Sequence, residues 1–284
     1  MTSVTALVSH NTIQAAKTTV RIAAIGDVHL RNEIPGSLAA DLAAAVDLAD
    51  VLVLAGDITE NGRLPEVELA AGLLAALPMP KVAVLGNHDR RCLRRAALRD
   101  AFAAAGVVLL DGHAVTLSLR DGRRVGFAGV GGYGGGFWPE EGPPLLASRV
   151  GKAVAVRARR DALRLQTALA TLDAESPEIT VVVMHYAPTT TTLGNEPLAK
   201  HWMLGNSLLG SVVDGHEVDL VIHGHAHLGN QEGHTPGGVP VRNVAEQVVG
   251  RPMLYEVGPG RTVRTLTSVS PRGVYRSSAR SLTA

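Results

Sequence analysis

Residues 20–29 read VRIAAIGDVH, residues 51–57 read VLVLAGD, and residues 81–89 read KVAVLGNHD. Each is a short, nearly unbroken apolar run, Val20–Ile25, Val51–Ala55 and Lys81–Leu85, that stops at a glycine. A carboxylate, a carboxamide or an imidazole follows at once. A run of this length without polar alternation is what a strand buried on both faces looks like. Helix-like stretches follow each run, at Ser37–Asp50, Pro65–Leu77 and Arg91–Ala105. Strands and helices alternating in this way predict a parallel sheet with helices over it.

The middle of the chain changes texture. Ala114–Leu119 and Arg124–Gly129 flank Asp121-Gly122, a strong hairpin signal. Glycine-rich Gly131–Gly136 runs into Phe137-Trp138-Pro139, and a long helical pattern covers about Arg149–Asp173. Ile179–Met184 and Val218–Ile222 are two more buried-type strands. Val239–Val244, Met253–Val257 and Thr262–Thr267 read as antiparallel, the last two joined at Gly258-Pro259-Gly260. Parallel and antiparallel pieces together predict an α/β protein of mixed α+β character, two mixed sheets packed face to face with helices outside. Residues 1–18 read as a flexible polar arm, and 268–284, with Arg272, Arg276 and Arg280 and no acid, as a flexible basic tail. No linker or repeat divides 19–267, which is expected to be a single domain.

Composition removes several classes of function. The 284 residues are 46% hydrophobic, enough for a substantial core. With 27 basic against 26 acidic side chains there is no strong nucleic-acid signal. The single cysteine, Cys92, excludes an internal disulfide framework and suits a reducing compartment. No apolar run approaches the roughly 18–20 residues of a membrane helix. The first twenty residues, broken by His10, Asn11 and Gln14, do not form a secretory signal. A cytoplasmic protein without a membrane partner is the expectation.

The polar residues carry the function. Asp27 and His29 follow the first run, Asp57 the second, Asn87, His88 and Asp89 the third. His185 follows Ile179–Met184, and His223, His225 and His227 follow Val218–Ile222. In open α/β sheets ligands bind just outside the carboxyl ends of strands. Asp27, Asp57 and Asn87 are thirty residues apart each time, one strand–helix unit, so they should stand side by side. Taken singly, each has an ordinary explanation: Gly-Asp is a common turn, and a lone histidine after an apolar run is usually a hydrogen-bonded core residue. His223 belongs to that structural class. Taken together, five of the 11 histidines lie at strand ends beside carboxylates, where burial without a partner would be costly. Metal coordination satisfies all of them at once. Nitrogen and oxygen donors without thiolate suit Mn, Fe or Zn, with Mg a further option. Seven candidate ligands are too many for one ion, so two ions sharing a carboxylate is the economical arrangement. Such a pair, roughly 3.5–4 Å apart, clamps the attacking and leaving oxygens of a displacement at phosphorus and generates hydroxide at neutral pH.

The pattern Asp27-x-His29, Gly56-Asp57, Gly86-Asn87-His88-Asp89, His185, Gly224-His225-x-His227 resembles the calcineurin-like metallophosphoesterases. All five blocks are present, in order, across 27–227. The resemblance implies a four-layer αββα sandwich with a dinuclear site at the strand C-terminal ends. It also implies that Asp27, His29 and His227 hold one ion, that Asn87, His185 and His225 hold the other, and that Asp57 bridges them. His88 would contact the substrate phosphate and protonate the leaving oxygen, with Glu60 as the nearest acid to orient it, while a metal-bridged hydroxide attacks phosphorus. Gly56-Asp57-Ile58-Thr59 and the third block are closer to the cyclic-nucleotide phosphodiesterase-like branch than to the protein phosphatases. The arginine that follows the bridging Asp in protein phosphatases has no match beyond Asn61-Gly62-Arg63.

Small phosphodiesters such as cyclic nucleotides are therefore the expected substrates. Phosphomonoesters, nucleotide pyrophosphates and nucleic-acid ends are alternatives on the same site. A metal-free scaffold would have lost some of these histidines and acids, and none is missing. A metallo-β-lactamase would need His-x-His-x-Asp-His where residues 223–228 read His-Gly-His-Ala-His-Leu. Two segments are candidates for recognising substrate: Gly131–Trp138, and Tyr186–Ser207 with Tyr186, His201 and Trp202. Their aromatics could equally cap the core. Arg90 and Arg91 open a helix and are expected to be solvated. Exposed strands near the C-terminus could pair two copies into a homodimer.

Overall fold

The computed structural model describes residues 19–138 and 148–268. The arm at 1–18, Pro139 and the tail beyond Ser268 lie outside the described residues.

Among the described residues twelve strands form two six-stranded sheets. In the first the order is β12 (Thr262–Ser268), β11 (Met253–Gly258), β1 (Val20–Ile25), β2 (Val51–Ala55), β3 (Lys81–Val84), β4 (Val107–Leu109). In the second it is β5 (His113–Ser118), β6 (Arg124–Val130), β7 (Ile179–Met184), β8 (Leu220–His223), β10 (Pro240–Asn243), β9 (Glu232–His234). β1, β2 and β3 are parallel, as the alternating runs predict, and β4 adds a further parallel strand, while β11 joins β1 antiparallel, Val20 opposite Val257. Both sheets are mixed.

Period-two geometry sorts each strand's side chains onto two buried faces. On β1, Val20, Ile22 and Ala24 point into the core between the sheets, with Val51, Val53, Phe127, Val181, Ile222 and Tyr255. Ala23 and Ile25 face the other way, against α1 (Gly36–Leu48), α2 (Leu64–Ala75) and α3 (Arg95–Ala104). On the far side Val182, Met184 and Val221 pack under α4 (Arg149–Glu175) and α6 (Ser207–Asp214). Helix, sheet, sheet, helix is the layering. Burying each such Val, Leu or Ile contributes about 1.5–3 kcal/mol.

Helix ends follow local chemistry. Ser148 caps α4 by accepting the Gly151 N–H at 3.0 Å, and Asn206 caps α6 by accepting from Leu209 N at 3.1 Å.

Two expectations are corrected. The sequence predicts Val239–Val244 to be antiparallel, but β10 runs parallel to β8 and antiparallel only to the short β9, because the chain doubles back through β9 before rejoining the sheet. The helix expected over Arg91–Ala105 is split. Asp89–Arg91 form a 3₁₀ turn and α3 begins at Arg95, because the third block is held in its loop by side-chain bonds. The short elements β4, β9, α5 (His201–Leu204) and α7 (Glu246–Val249) carry no sequence periodicity long enough to read.

Candidate metal centre

The carboxyl ends of β1, β2, β3, β7 and β8 open on one side of the sandwich. Asp27, fully buried, spans the two sheets: Oδ1 lies 2.9 Å from His227 Nε2, and Oδ2 accepts the His225 N–H at 2.9 Å. Two glycines make such closeness feasible. A Cβ on Gly224 would stand 2.1 Å from Asp27 Oδ2, and one on Gly86 would stand 2.0 Å from Asp57 Oδ1. Only a residue without a side chain lets a carboxylate lie against backbone this way.

Asp57 is the hub. Its Oδ1 accepts the His88 N–H at 2.8 Å, and its Oδ2 lies 3.4 Å from His185 Nε2, 3.9 Å from His88 Nε2 and 4.0 Å from His29 Nε2. His185 Nδ1 is 2.9 Å from the Ala55 carbonyl, an acceptor only, so Nδ1 carries the proton and Nε2 is directed at Asn87 Oδ1, 3.0 Å away. Three groups of donors converge to within 4.8 Å: Asp27, His29 and His227; His29, Asp57 and His88; Asp57, His185 and His225. Asn87 joins through its contact with His185. All seven candidate ligands read from the sequence are thus brought together, with Asp57 shared by two of the groups.

The donor set fits divalent ions: imidazole, carboxylate and carboxamide, with no thiolate. His29 Nδ1 is buried without a hydrogen bond, although Glu60 Oε2 lies 3.2 Å away. The carbonyl that fixes the His185 tautomer is the partner a metal-binding histidine usually keeps. Without ions the protein's own charges interact strongly. Burial alone would lower the His185 imidazole, but Asp57 and Asp27 overcome it and raise its pKa to about 9. Burial likewise opposes ionisation of Asp27, yet His185 and His227 hold its carboxyl below the usual range. His225 is pushed down to about 3 by burial and by His185.

The backbone is strained in the same place. Asp27, His29, Asp57 and His225 all have left-handed φ, at 56°, 47°, 48° and 70°. Among the described residues only Ser176 and Arg261 share this conformation without being glycine. Each costs roughly 1–3 kcal/mol and persists only where the surroundings over-determine it.

Asp89 is the residue whose role the sequence did not disclose. Fully buried, it accepts hydrogen bonds from Ile58 N, Thr59 N, Thr59 Oγ1 and Gly86 N, at 3.2, 2.8, 2.7 and 3.0 Å. It pins the loop after β2 to the loop after β3, and so sets Asp57 beside Asn87. Its only signal was its place in the third block. His88 Nδ1 bonds the Glu60 backbone carbonyl at 2.6 Å while the Glu60 carboxylate is 3.7 Å away, so the main chain rather than the acid is its nearest partner. Arg91 is exposed as expected, yet its Nη2 sits 3.2 Å from His88 Nε2.

The aromatics divide. The Tyr186 ring lies 4.2 Å from the His225 ring, with Tyr133 5.8 Å behind it. Phe137 is buried with Ala187, Leu193, Leu204 and Ala226, capping a small core, whereas Trp138 is 78% exposed. His201 is buried, with Nε2 3.1 Å from the Glu196 carbonyl. His223 is structural: buried, held by Gly224 O and Thr192 Oγ1 at 2.7 and 2.8 Å, its pKa driven by burial down to about 4.

A two-sheet sandwich with nitrogen and oxygen donors gathered at its strand ends has the layout of a metal-dependent hydrolase. The family model for calcineurin-like phosphoesterases matches residues 20–229, and the chain belongs to that family, whose members generally hydrolyse phosphoesters with metal ions. Solved structures share the fold at low identity. One is TT1561 of Thermus thermophilus, with a TM-score of 0.52 and 17% identity, covering 89% of this chain and all of that one. Another is a putative 5′-nucleotidase from Staphylococcus aureus in complex with alpha-ketoglutarate, with a TM-score of 0.53, 12% identity, and 89% of this chain against 55% of that one. A third is the Thermus thermophilus sulfate thiohydrolase SoxB in complex with glycerol, with a TM-score of 0.54, 12% identity, and coverages of 90% and 58%. The chain thus spans little more than half of the last two. A search among curated proteins finds no relative. Among the described residues no helix is long and apolar enough to cross a membrane.

Proposed function

We propose that the protein hydrolyses small phosphodiesters, cyclic nucleotides among them, and works in the cytoplasm with its one cysteine, buried Cys92, reduced. The carrying observation is the placement of Asp57 between two sets of donors, with the His88 ring on the open side. Asp27, His29 and His227 would hold one divalent ion and Asn87, His185 and His225 the other, with Asp57 touching both; Mn, Fe and Zn all suit these donors. Bound ions supply Lewis acidity toward the phosphoryl oxygens and lower the pKa of water.

The rest falls to the chain. Asp89 and the two glycines hold the loops in register. Tyr186 covers the His225 side and excludes water from it. With Nδ1–H of His88 committed to the Glu60 carbonyl, Nε2, which faces the Arg91 guanidinium, is the nitrogen that can take up and release a proton. His88 delivers it to the leaving oxygen and returns to the neutral ring. Asn87 and His88 also contact the phosphate.

The test is hydrolysis of bis-p-nitrophenyl phosphate, p-nitrophenyl phosphate and 2′,3′- and 3′,5′-cyclic AMP by Mn²⁺-reconstituted protein. Diesters should be preferred, and His88→Ala should cost about 10²–10⁴ in kcat while keeping its metal. A second reading, hydrolysis of nucleotide monoesters, is favoured by the likeness to a putative 5′-nucleotidase. Preference for the monoester would select it. Absence of any bound metal would favour a scaffold over both.

A further inference from the structure

Beyond Tyr133 from the metal centre lies a cleft of about 610 Å³. Six arginines line it: Arg90 just after the third block, Arg95 and Arg99 on α3, and Arg157, Arg160 and Arg164 on α4. The spacing on α4 places three guanidinium groups along one helical face. Two carboxylates oppose them. Asp111 is shared by three, with Oδ1 accepting from Arg90 Nη2 and Arg164 Nη1 at 3.3 and 3.1 Å and Oδ2 from Arg99 Nη2 at 2.9 Å. These arginines hold the Asp111 carboxyl down at about 2, against the pull of burial. Asp161, 4% exposed, leaves Oδ2 without a hydrogen bond, and its Oδ1 is 3.7 Å from Arg164 Nη1. Arg95 and Arg160 are exposed and make no hydrogen bond or ion pair among the described residues.

Like charges gathered in a concavity repel one another and focus a positive potential, which an anion relieves. Guanidinium groups match phosphate in particular, with two parallel N–H donors. The volume lies within the roughly 300–1,000 Å³ of small-molecule sites. A row of ring contacts leads from the cleft wall to the metal centre. The Arg157 guanidinium carbon is 4.9 Å from the Tyr133 ring centre, Tyr133 is 5.8 Å from Tyr186, and Tyr186 is 4.2 Å from His225. Laid end to end, those three steps come to about 15 Å, longer than a single nucleoside.

We infer that the arginine cleft is a second anion site, which receives a second phosphate of the substrate, separated from the scissile phosphoester by roughly that distance. The substrate class this selects is a small phosphoester bearing two separated phosphate groups. That assignment of substrate rests on the phosphodiesterase reading; anion binding by the cleft does not.

The experiment has two arms. In the first, inorganic pyrophosphate is titrated calorimetrically into metal-stripped protein and into R95Q/R160Q, whose two exposed side chains are not needed for folding. Binding should weaken by about tenfold or more in the variant, the effect of losing charge-assisted hydrogen bonds. In the second, Mn²⁺-loaded enzyme is given the 5′-(p-nitrophenyl phosphate) of a thymidine dinucleotide with and without a terminal 3′-phosphate. The wild type should favour the 3′-phosphorylated ester in kcat/KM, and the variant should lose that preference. Equal pyrophosphate affinity in both proteins, or no preference between the esters, overturns the proposal. Binding confined to oligonucleotides, rising with their length, overturns it in favour of a nucleic-acid track. Arginine-dependent pyrophosphate binding without hydrolysis of either ester would uphold the anion site and sink the phosphodiesterase reading instead.

Discussion

His227 Nε2 lies 2.9 Å from Asp27 Oδ1, a contact between residues 200 apart that ties the end of β1 to the loop after β8. Both atoms belong to one group of convergent donors, so replacing the imidazole should empty one site and leave the other. His227→Ala is expected to bind one divalent ion fewer per chain than the wild type, measured by elemental analysis after Mn²⁺ loading and dialysis. An unchanged metal content would remove His227 from the ligand set.

Gly86 and Gly72 make opposite predictions for the same substitution. At Gly86 an added Cβ would meet Asp57 Oδ1 at 2.0 Å and the Asp57 backbone nitrogen at 2.4 Å. Gly86→Ala should therefore destabilise by more than about 2 kcal/mol and disturb metal binding. At Gly72, exposed in the middle of α2, a Cβ meets nothing within 4 Å. Gly72→Ala should stabilise by roughly 0.5–1 kcal/mol. Denaturant unfolding of both variants checks the pair.

Asp89→Asn keeps the shape but turns one acceptor into a donor facing backbone N–H groups. Loss of acceptors for the loops after β2 and β3 should cost about 1–3 kcal/mol and lower metal affinity. A variant as stable as wild type would show that the four bonds to Asp89 do not hold the centre together.

Acid should weaken the metal-free protein earlier than carboxylate titration alone would. His223 has its pKa lowered by burial from 6.5 to about 4. Between those values the unfolded chain binds the proton and the folded one does not, so stability falls as pH falls through that window. The slope is at most about 1.4 kcal/mol per pH unit for one such group. His225 and His29, also lowered, act in the same direction. His185 and His227 are raised, so their contributions are fully present below pH 6.5 and add no slope there. Urea unfolding of chelator-treated protein from pH 7 to 5 should show this decline, and His223→Gln should flatten it.

The buried strands and the convergence of the candidate metal donors were legible because both are written locally. An apolar run announces a doubly buried strand, and a polar residue after its terminal glycine announces a side chain at the strand's end. Asp27, Asp57 and Asn87 needed only the thirty-residue spacing to be placed side by side. The role of Asp89 was not legible, because three of its four donors fold onto it from the loop after β2 and only Gly86 N lies in its own loop. The arginine cleft was hidden for the same reason: Arg95 and Arg160 look like ordinary solvated helix residues until α3 and α4 face each other. The direction of β10 depended on a three-residue strand too short to carry a pattern. Phe137 and Trp138, adjacent and chemically alike, went to opposite environments that no neighbour-by-neighbour reading distinguishes.

The antiparallel insertion of β11 beside β1 bears on synthesis. Val20 leaves the ribosome early, but its partner Val257 is among the last parts of the described chain to emerge. Until then the strand that ends at Asp27 has an open edge, and Gly26 lacks the Val244 carbonyl that accepts its N–H at 2.8 Å. The growing chain can therefore build β2, β3 and their helices in order, but the centre closes only at the end. A fragment stopping at residue 229, where the family match stops, would keep every candidate ligand and still leave β1 unpaired on one side. Translation order thus holds the candidate centre open on one edge until β11 pairs with β1.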